Sequence, residues 1–126
     1  MIKNIKYIVE DLLNDFYGDN SFDILDNFLG YKYFPKTKIE LKRIIKDHYK
    51  NHNYNLNDID VSQIKDFSKL FYGDDEYTGH KDFDISQWDV SNGENFNNMF
   101  YSCINFNCDL SMWDVHNGKD FSHMFD

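Results

Sequence analysis

The chain has 126 residues, 41% of them hydrophobic and 18% aromatic, with a single proline; that is enough for one cored domain and too apolar for a disordered chain. Its net charge of -9 is lopsided: residues 1–54 carry nine Lys and Arg against eight Asp and Glu, and residues 55–126 carry four against fourteen. An acidic second half repels phosphate backbones, which argues against direct nucleic-acid binding there. Lys3, Lys6, Glu10 and Asp11 break the first apolar run, so a signal peptide is not expected. No stretch approaches the roughly 20 apolar residues of a membrane helix, and the expected location is cytoplasmic. Two cysteines in such a chain read as reduced thiols.

In chain order, Ile5, Ile8, Val9, Leu12, Leu13 and Phe16 recur at 3-1-3-1-3 spacing, which predicts an amphipathic helix over residues 3–17. Ser21 is placed to N-cap a second short helix carrying Phe22, Leu25, Phe28 and Leu29, with Gly30 at its C′ position. Tyr31 to Phe34 should be extended, because the residue before Pro35 avoids the helical region. Thr37-Lys38-Ile39-Glu40 reads as a capping box. It opens a third helix whose stripe of Leu41, Ile44, Ile45, His48 and Tyr49 runs to about Lys50, and residues 51–55 form a polar break. The same helix bears a basic stripe, Lys38, Lys42, Lys46 and Lys50 with Arg43 beside them. Like charges four apart destabilise an isolated helix by roughly 0.2 to 0.5 kcal/mol per pair. Three uses compete: a solvated face, a contact with acidic repeats of the same or a second molecule, and sequence-blind attraction to a polyanion.

From Asn55 onward the chain repeats itself. Trp88-Asp89-Val90-Ser91-Asn92-Gly93 through Phe96, Met99 and Phe100 recurs 25 residues later as Trp113-Asp114-Val115-His116-Asn117-Gly118 through Phe121, Met124 and Phe125. A looser copy lies 29 residues upstream, with Ile59-Asp60-Val61, Phe67, Leu70 and Phe71. A period near 25 suits one step of a solenoid that buries its apolar face only when the next copy stacks on it. Apolar residues alternating with Asp predict a half-buried strand, the Asn-Gly pairs tolerate positive φ and favour tight turns, and the apolar residues at i, i+3, i+4 predict a helical turn. The four extra residues of the first copy fall within residues 72–83 and read as a surface loop. The expected fold is therefore α+β. A helical N-terminal cap of about three helices, residues 1–54, leads into an acidic solenoid of about two and a half strand-turn-helix repeats, residues 55–126, within one continuous domain.

Asp84-Ile85-Ser86-x-Trp88-Asp89-Val90-Ser91-Asn92, then Phe96-x-x-Met99-Phe100-x-x-Cys103, resembles the short bacterial surface-protein or mycoplasma-lipoprotein type repeat, related to the leucine-rich repeats of BspA-like proteins. Asp109-Leu110-Ser111-x-Trp113-Asp114-Val115 with Met124-Phe125 carries it a second time. The resemblance implies a leucine-rich-repeat-like solenoid used for adhesion or protein binding, without enzymatic activity. Gly93 and Gly118 depart from it, standing where that repeat usually places valine and removing a core side chain from two copies. Related repeats also occur in AT-rich bacteria and their phages, with which the Asn, Lys and Ile bias agrees.

Candidate chemistry is sparse. Cys103, Cys108, His116 and His123 form C-x4-C-x7-H-x6-H, whose histidine spacing exceeds that of zinc fingers, and repeat alignment explains the positions without a metal. Asp60, Asp89 and Asp114 should stack as a ladder roughly 5 Å apart, where they either hold a cation, accept hydrogen bonds from the following turn, or face water; turn-capping is the commonest use. No nucleophile-base set or phosphate loop emerges, so neither an enzyme nor a cofactor is expected. The expected role is a protein-binding module acting through variable outward positions: Asp74, Asp75, Glu76, Tyr77, Gln87, Asp89, Asn98, Met112, Asp114 and His123. Replacing Asp89 and Asp114 together should then abolish capture without changing the melt. Two alternatives are an acidic phage-encoded inhibitor that occupies the channel of a basic host nucleic-acid enzyme, and a structural subunit that self-associates through its C-terminal repeat.

Overall fold

A computed structural model describes residues 30–72 and 82–126. Among them there is one helix, α1 (Lys38–Lys50), together with four isolated parallel bridges and no sheet. This corrects the expected architecture: among the described residues the cap is one helix rather than three, and the repeat contains neither the expected strand nor the expected helical turn. The helices expected over residues 3–17 and after Ser21 lie outside the described residues.

α1 starts where the sequence places it. Thr37 is its N-cap, extended at φ -130° and ψ 158°, and its hydroxyl takes the Glu40 N–H at 3.2 Å. Glu40 reaches back to the Lys36 N–H at 2.9 Å rather than to the cap residue itself, one position further than the usual reciprocal box. Leu41, Ile45, His48 and Tyr49 form the buried face.

The repeats stack in register as three coils, spanning residues 55–71, 84–100 and 109–125. Each coil is a run of three tight turns with one local pattern: Asn or Asp, an apolar residue, a small polar residue, a variable residue, and an apolar or small residue. In coil 2 the runs are Asp84-Ile85-Ser86-Gln87-Trp88, Asp89-Val90-Ser91-Asn92-Gly93 and Asn95-Phe96-Asn97-Asn98-Met99. Each closes by an i to i+3 backbone bond: Trp88 N–H to Ile85 O at 3.1 Å, Gly93 N–H to Val90 O at 2.8 Å, Met99 N–H to Phe96 O at 3.2 Å. The segments expected as strands and helical turns are these turns. In the third turn of coils 1 and 2 the residues at i, i+3 and i+4, Phe67, Leu70 and Phe71 and then Phe96, Met99 and Phe100, turn inward onto the core, which mimics helical periodicity without a helix. The third turn has its variable residue in the left-handed region in every coil, at Lys69 (φ 57°), Asn98 (φ 54°) and His123 (φ 55°). Gly93 and Gly118 sit in tight turns, as the Asn-Gly pairs favour, without using the positive φ that such a pair tolerates; in the described residues Gly30 alone of the glycines has it, at φ 81°.

Stacking the coils builds columns of like side chains. Phe67, Phe96 and Phe121 stack at centroid distances of 5.4 and 5.2 Å, and Phe71, Phe100 and Phe125 at 5.8 and 5.3 Å. Val61 and Val90, Leu56 and Ile85, Leu70 and Met99 are buried in the columns between. The two tryptophans add backbone closure: Trp88 Nε1–H donates to Leu56 O at 2.8 Å and Trp113 Nε1–H to Ile85 O at 3.0 Å, each one coil back. Asn92 and Asn117 do likewise from their amides to Ser62 O and Ser91 O, at 2.8 and 2.7 Å. Burying an aromatic while giving its N–H a carbonyl avoids the cost of an unmade hydrogen bond.

α1 covers the first coil. His48 spans helix and repeat, its Nδ1 on Ile44 O and its Nε2 on Asp58 Oδ1, both at 2.9 Å. Lys38 Nζ donates to Ser68 O and Oγ at 3.0 Å and pairs with Asp66 Oδ2 at 3.1 Å. Ser68 occupies the position of Asn97 and Ser122, whose carbonyls accept N–H groups from the preceding coil. Lys38 therefore stands in for a coil that would otherwise precede coil 1. Lys38→Met is expected to lower stability by about 1 kcal/mol, since a partly exposed pair adds little beyond its hydrogen bonds. Urea unfolding measures it, and a midpoint unchanged within error would show that the ammonium does not close the ladder.

Candidate interaction surface

All nine turns are closed by the side chain that opens them. The Oδ1 of Asn55, Asp60, Asp66, Asp84, Asp89, Asn95, Asp109, Asp114 and Asp120 each accepts the N–H two residues on, at 2.9 to 3.1 Å. Asn and Asp favour turns because they can make this bond. The Asp60, Asp89 and Asp114 ladder is thus one of three such columns, and of the three uses open to it, it serves turn-capping. Asp89 is only 6% exposed and takes both the N–H and the hydroxyl of Ser91. It is not an outward position, and replacing it removes a buried turn cap, so an unchanged melt is no longer the expected result.

These bonds set the acidity of the carboxyls. The Ser86 N–H and hydroxyl hold Asp84 below the ordinary carboxylate range, as the Ser111 N–H and hydroxyl hold Asp109 and the Ser122 hydroxyl and N–H hold Asp120. Burial opposes ionisation of Asp66, but the Ser68 hydroxyl and N–H and the Lys38 ammonium outweigh it and lower that carboxyl too. A depressed carboxyl stabilises the fold above its unfolded value of 3.8 and stops doing so as pH falls through the lower folded value. Thermal stability should hold down to about pH 4 and then drop. A triple variant, Asp84→Asn, Asp109→Asn and Asp120→Asn, keeps the accepting oxygen, as Asn55 and Asn95 do natively, and should flatten that acid limb. An acid limb as steep as in the native chain would rule these turns out as its source.

The remaining sequence candidates fall in different places. Asp74, Asp75, Glu76 and Tyr77 lie outside the described residues. Gln87 and Met112 are exposed at one turn position in successive coils, below Asp58 of coil 1. Asn98 and His123 share the left-handed column with Lys69. Asp114 is half-buried, its Oδ1 taken by the His116 N–H and ring Nδ1. Along the basic stripe, Lys38 faces the acidic repeat of its own molecule, Lys42 and Lys46 are half-buried, and Arg43 and Lys50 are exposed.

Neither thiol is activated. Burial pushes Cys103 up to about 11, and burial with the neighbouring Asp84 carboxylate raises Cys108. Cys108 lines an open cleft of about 440 Å³ with Asp82, Phe83, Asp84 and Asp109. Among the described residues no three His, Cys, Asp or Glu side chains gather as metal ligands, and no helix there is long and apolar enough to cross a membrane.

What the sequence reading missed is the pentad within the repeat. Its signal was present as Asn or Asp followed by an apolar residue and then Ser, Asn or His, three times per 25 residues.

Side-chain columns that run through successive copies of one short unit, under a helical cap, define a repeat protein. The chain belongs to the family described as "Mycoplasma protein of unknown function, DUF285", which matches residues 39–126. No curated protein and no solved structure matches it. The match agrees with the mycoplasma-type repeat suggested by the Trp-Asp-Val and Met-Phe signatures; kinship with leucine-rich repeats goes beyond it.

Proposed function

We propose that this chain is a non-enzymatic protein-binding repeat module. The supporting observation is how chemistry is divided between its columns. One inward column and one column of turn caps keep a single residue type from coil to coil: Phe67, Phe96 and Phe121; Asp60, Asp89 and Asp114. Three columns at the variable turn positions and between turns change their chemistry at every step: Asp58, Gln87 and Met112; Lys65, Glu94 and Lys119; Lys69, Asn98 and His123. A scaffold of fixed geometry that offers different side chains at regular intervals is suited to reading a partner's surface. The turn carboxylates and both thiols, tied up as described, supply no nucleophile or base poised for chemistry.

Introducing positive charge on the outward column tests the reading. Gln87→Arg with Met112→Arg, both exposed, should leave the melting temperature within about 2 °C, because surface substitutions away from caps and cores change stability little. Quantitative affinity capture from the native cell should lose at least tenfold of the specifically retained protein. An unchanged captured set would sink this column as the binding face.

A further inference from the structure

Coils 2 and 3 each carry an Asn-Gly pair, Asn92-Gly93 and Asn117-Gly118, whose asparagines are exposed. In an open chain this pair is labile, because glycine sets no side chain beside its backbone nitrogen. That nitrogen gives up its proton and attacks the asparagine Cγ. A bond forms between them, the Cγ–Nδ2 bond breaks, and ammonia leaves with the proton. Water then opens the succinimide ring at either carbonyl, which restores the glycine N–H and leaves aspartate or isoaspartate. The turn itself demands neither residue: coil 1 makes it from Gln63-Ile64, closed by the Ile64 N–H on Val61 O at 3.0 Å. Each half of the pair answers instead to a contact of its own. The Asn92 and Asn117 amides clip their coils to Ser62 O and Ser91 O in the coil before, at 2.8 and 2.7 Å, and the glycines leave the space that the Phe96 and Phe121 rings fill.

We propose that Asn92 and Asn117 are sites of spontaneous deamidation that the stacked coils hold off, and that modification there opens the junction to the coil before. Both reacting groups are engaged in the fold. The attacking nitrogens are tied into their turns, the Gly93 N–H on Val90 O at 2.8 Å and the Gly118 N–H on Val115 O at 2.9 Å. The amides under attack are held on a different carbonyl, one coil away. Reaction therefore waits for a local opening that breaks the turn bond and the clip together. Its products cannot remake the clip. A carboxylate only accepts hydrogen bonds, so after deamidation an anion faces the Ser62 or Ser91 carbonyl to which an amide had donated, and isoaspartate also adds a methylene to the backbone within the turn. Each event adds one negative charge to a chain already at -9.

The test follows the whole chain beside two synthetic peptides, copies of residues 86–94 and 111–119, in one mildly alkaline buffer. Proteolysis and mass spectrometry read the mass gain at each asparagine, and an isoaspartate-specific methyltransferase reads the isoaspartate share. Asn92 and Asn117 should react at least about tenfold more slowly in the folded chain than in the peptides, and at the peptide rates once urea has unfolded it. Asn92→Asp and Asn117→Asp, which copy the aspartate product, should each lower the urea midpoint by about 0.5 M. Gln63→Glu, which adds the same charge at the exposed coil 1 position, should leave the midpoint unchanged. The rates are measured on the native sequence, so a variant that fails to fold does not hide them. Folded-chain rates within about threefold of the peptide rates overturn the proposal, because a held turn and clip allow only the opened fraction to react. So do aspartate variants as stable as the native chain, or a loss in Gln63→Glu equal to theirs, which would assign the effect to charge alone.

Discussion

Phe100→Ala should cost roughly 3 to 5 kcal/mol, the usual range for removing a fully buried phenylalanine. Phe100 sits where the columns meet. Its ring stacks on Phe71 at 5.8 Å, on Phe106 at 4.5 Å and on Phe125 at 5.3 Å, and it lies 6.4 Å from Phe83 and 6.2 Å from Trp113. The hole left by alanine would be walled by rings from coils 1 and 3 and from the connections between coils, of which Phe71, Phe83 and Phe106 are stacked on one another and cannot collapse inward without breaking that stack. Against a total stability of about 5 to 15 kcal/mol for a domain of this kind, the loss is large enough to leave the variant partly unfolded at room temperature. Phe100→Leu keeps most of the volume and should cost about 1 to 2 kcal/mol, which urea unfolding resolves. Phe125→Ala, one coil further and with one face in water, should cost under about 1 kcal/mol. Equal losses for Phe100→Ala and Phe125→Ala would mean that the columns do not carry the stability assigned to them.

The sequence revealed the period and the cap helix because each rests on a signal with one reading. A 25-residue offset maintained through Trp, Asp, Val, Phe and Met has no source other than stacked copies, and Thr37 with Glu40 before an apolar stripe marks a helix start in any context. The contents of the repeat were misread because inward spacing alone does not separate a helical turn from a tight turn. Phe96, Met99 and Phe100 point to the core in both, and the difference lies in Asn98, whose left-handed φ no helix tolerates, and in Asn95, whose side chain closes the turn. The Asp ladder was legible as a column but not its purpose, since the bond that consumes each Oδ1 comes from its own chain two residues on. The function of Lys38 was hidden for the opposite reason. Its partner is 30 residues away, on a carbonyl whose counterparts in coils 2 and 3 take an N–H from the coil before.

Gly93→Val should cost about 2 to 3 kcal/mol, although the repeat this chain resembles ordinarily carries valine there. A Cβ at Gly93 would meet Phe96 Cζ at 2.5 Å, Phe67 Cε2 at 3.0 Å and the Val90 carbonyl at 3.0 Å. The glycine is therefore required by close approach rather than by backbone conformation: its missing side chain is the space into which the Phe96 ring is packed. Phe96 is held between Phe67 and Phe121 with none of its surface exposed, so it cannot step aside, and overpacking of this kind forces rings off their rotamers. Gly118 supplies an internal control. There a Cβ would come even closer to Phe121, 2.1 Å from Cζ, but Phe121 stacks on Phe96 on one side and is 41% exposed, so its ring has room to swing toward solvent. Gly118→Val should cost under about 1 kcal/mol despite the shorter contact. If glycine and phenylalanine are one unit, shrinking the ring should relieve the clash. Gly93→Val with Phe96→Leu should be more stable than the sum of the two single losses by about 1 to 2 kcal/mol, a coupling that a double-mutant cycle reads directly. Additive losses, or a Gly118→Val as damaging as Gly93→Val, would show that the ring column does not fix the glycine.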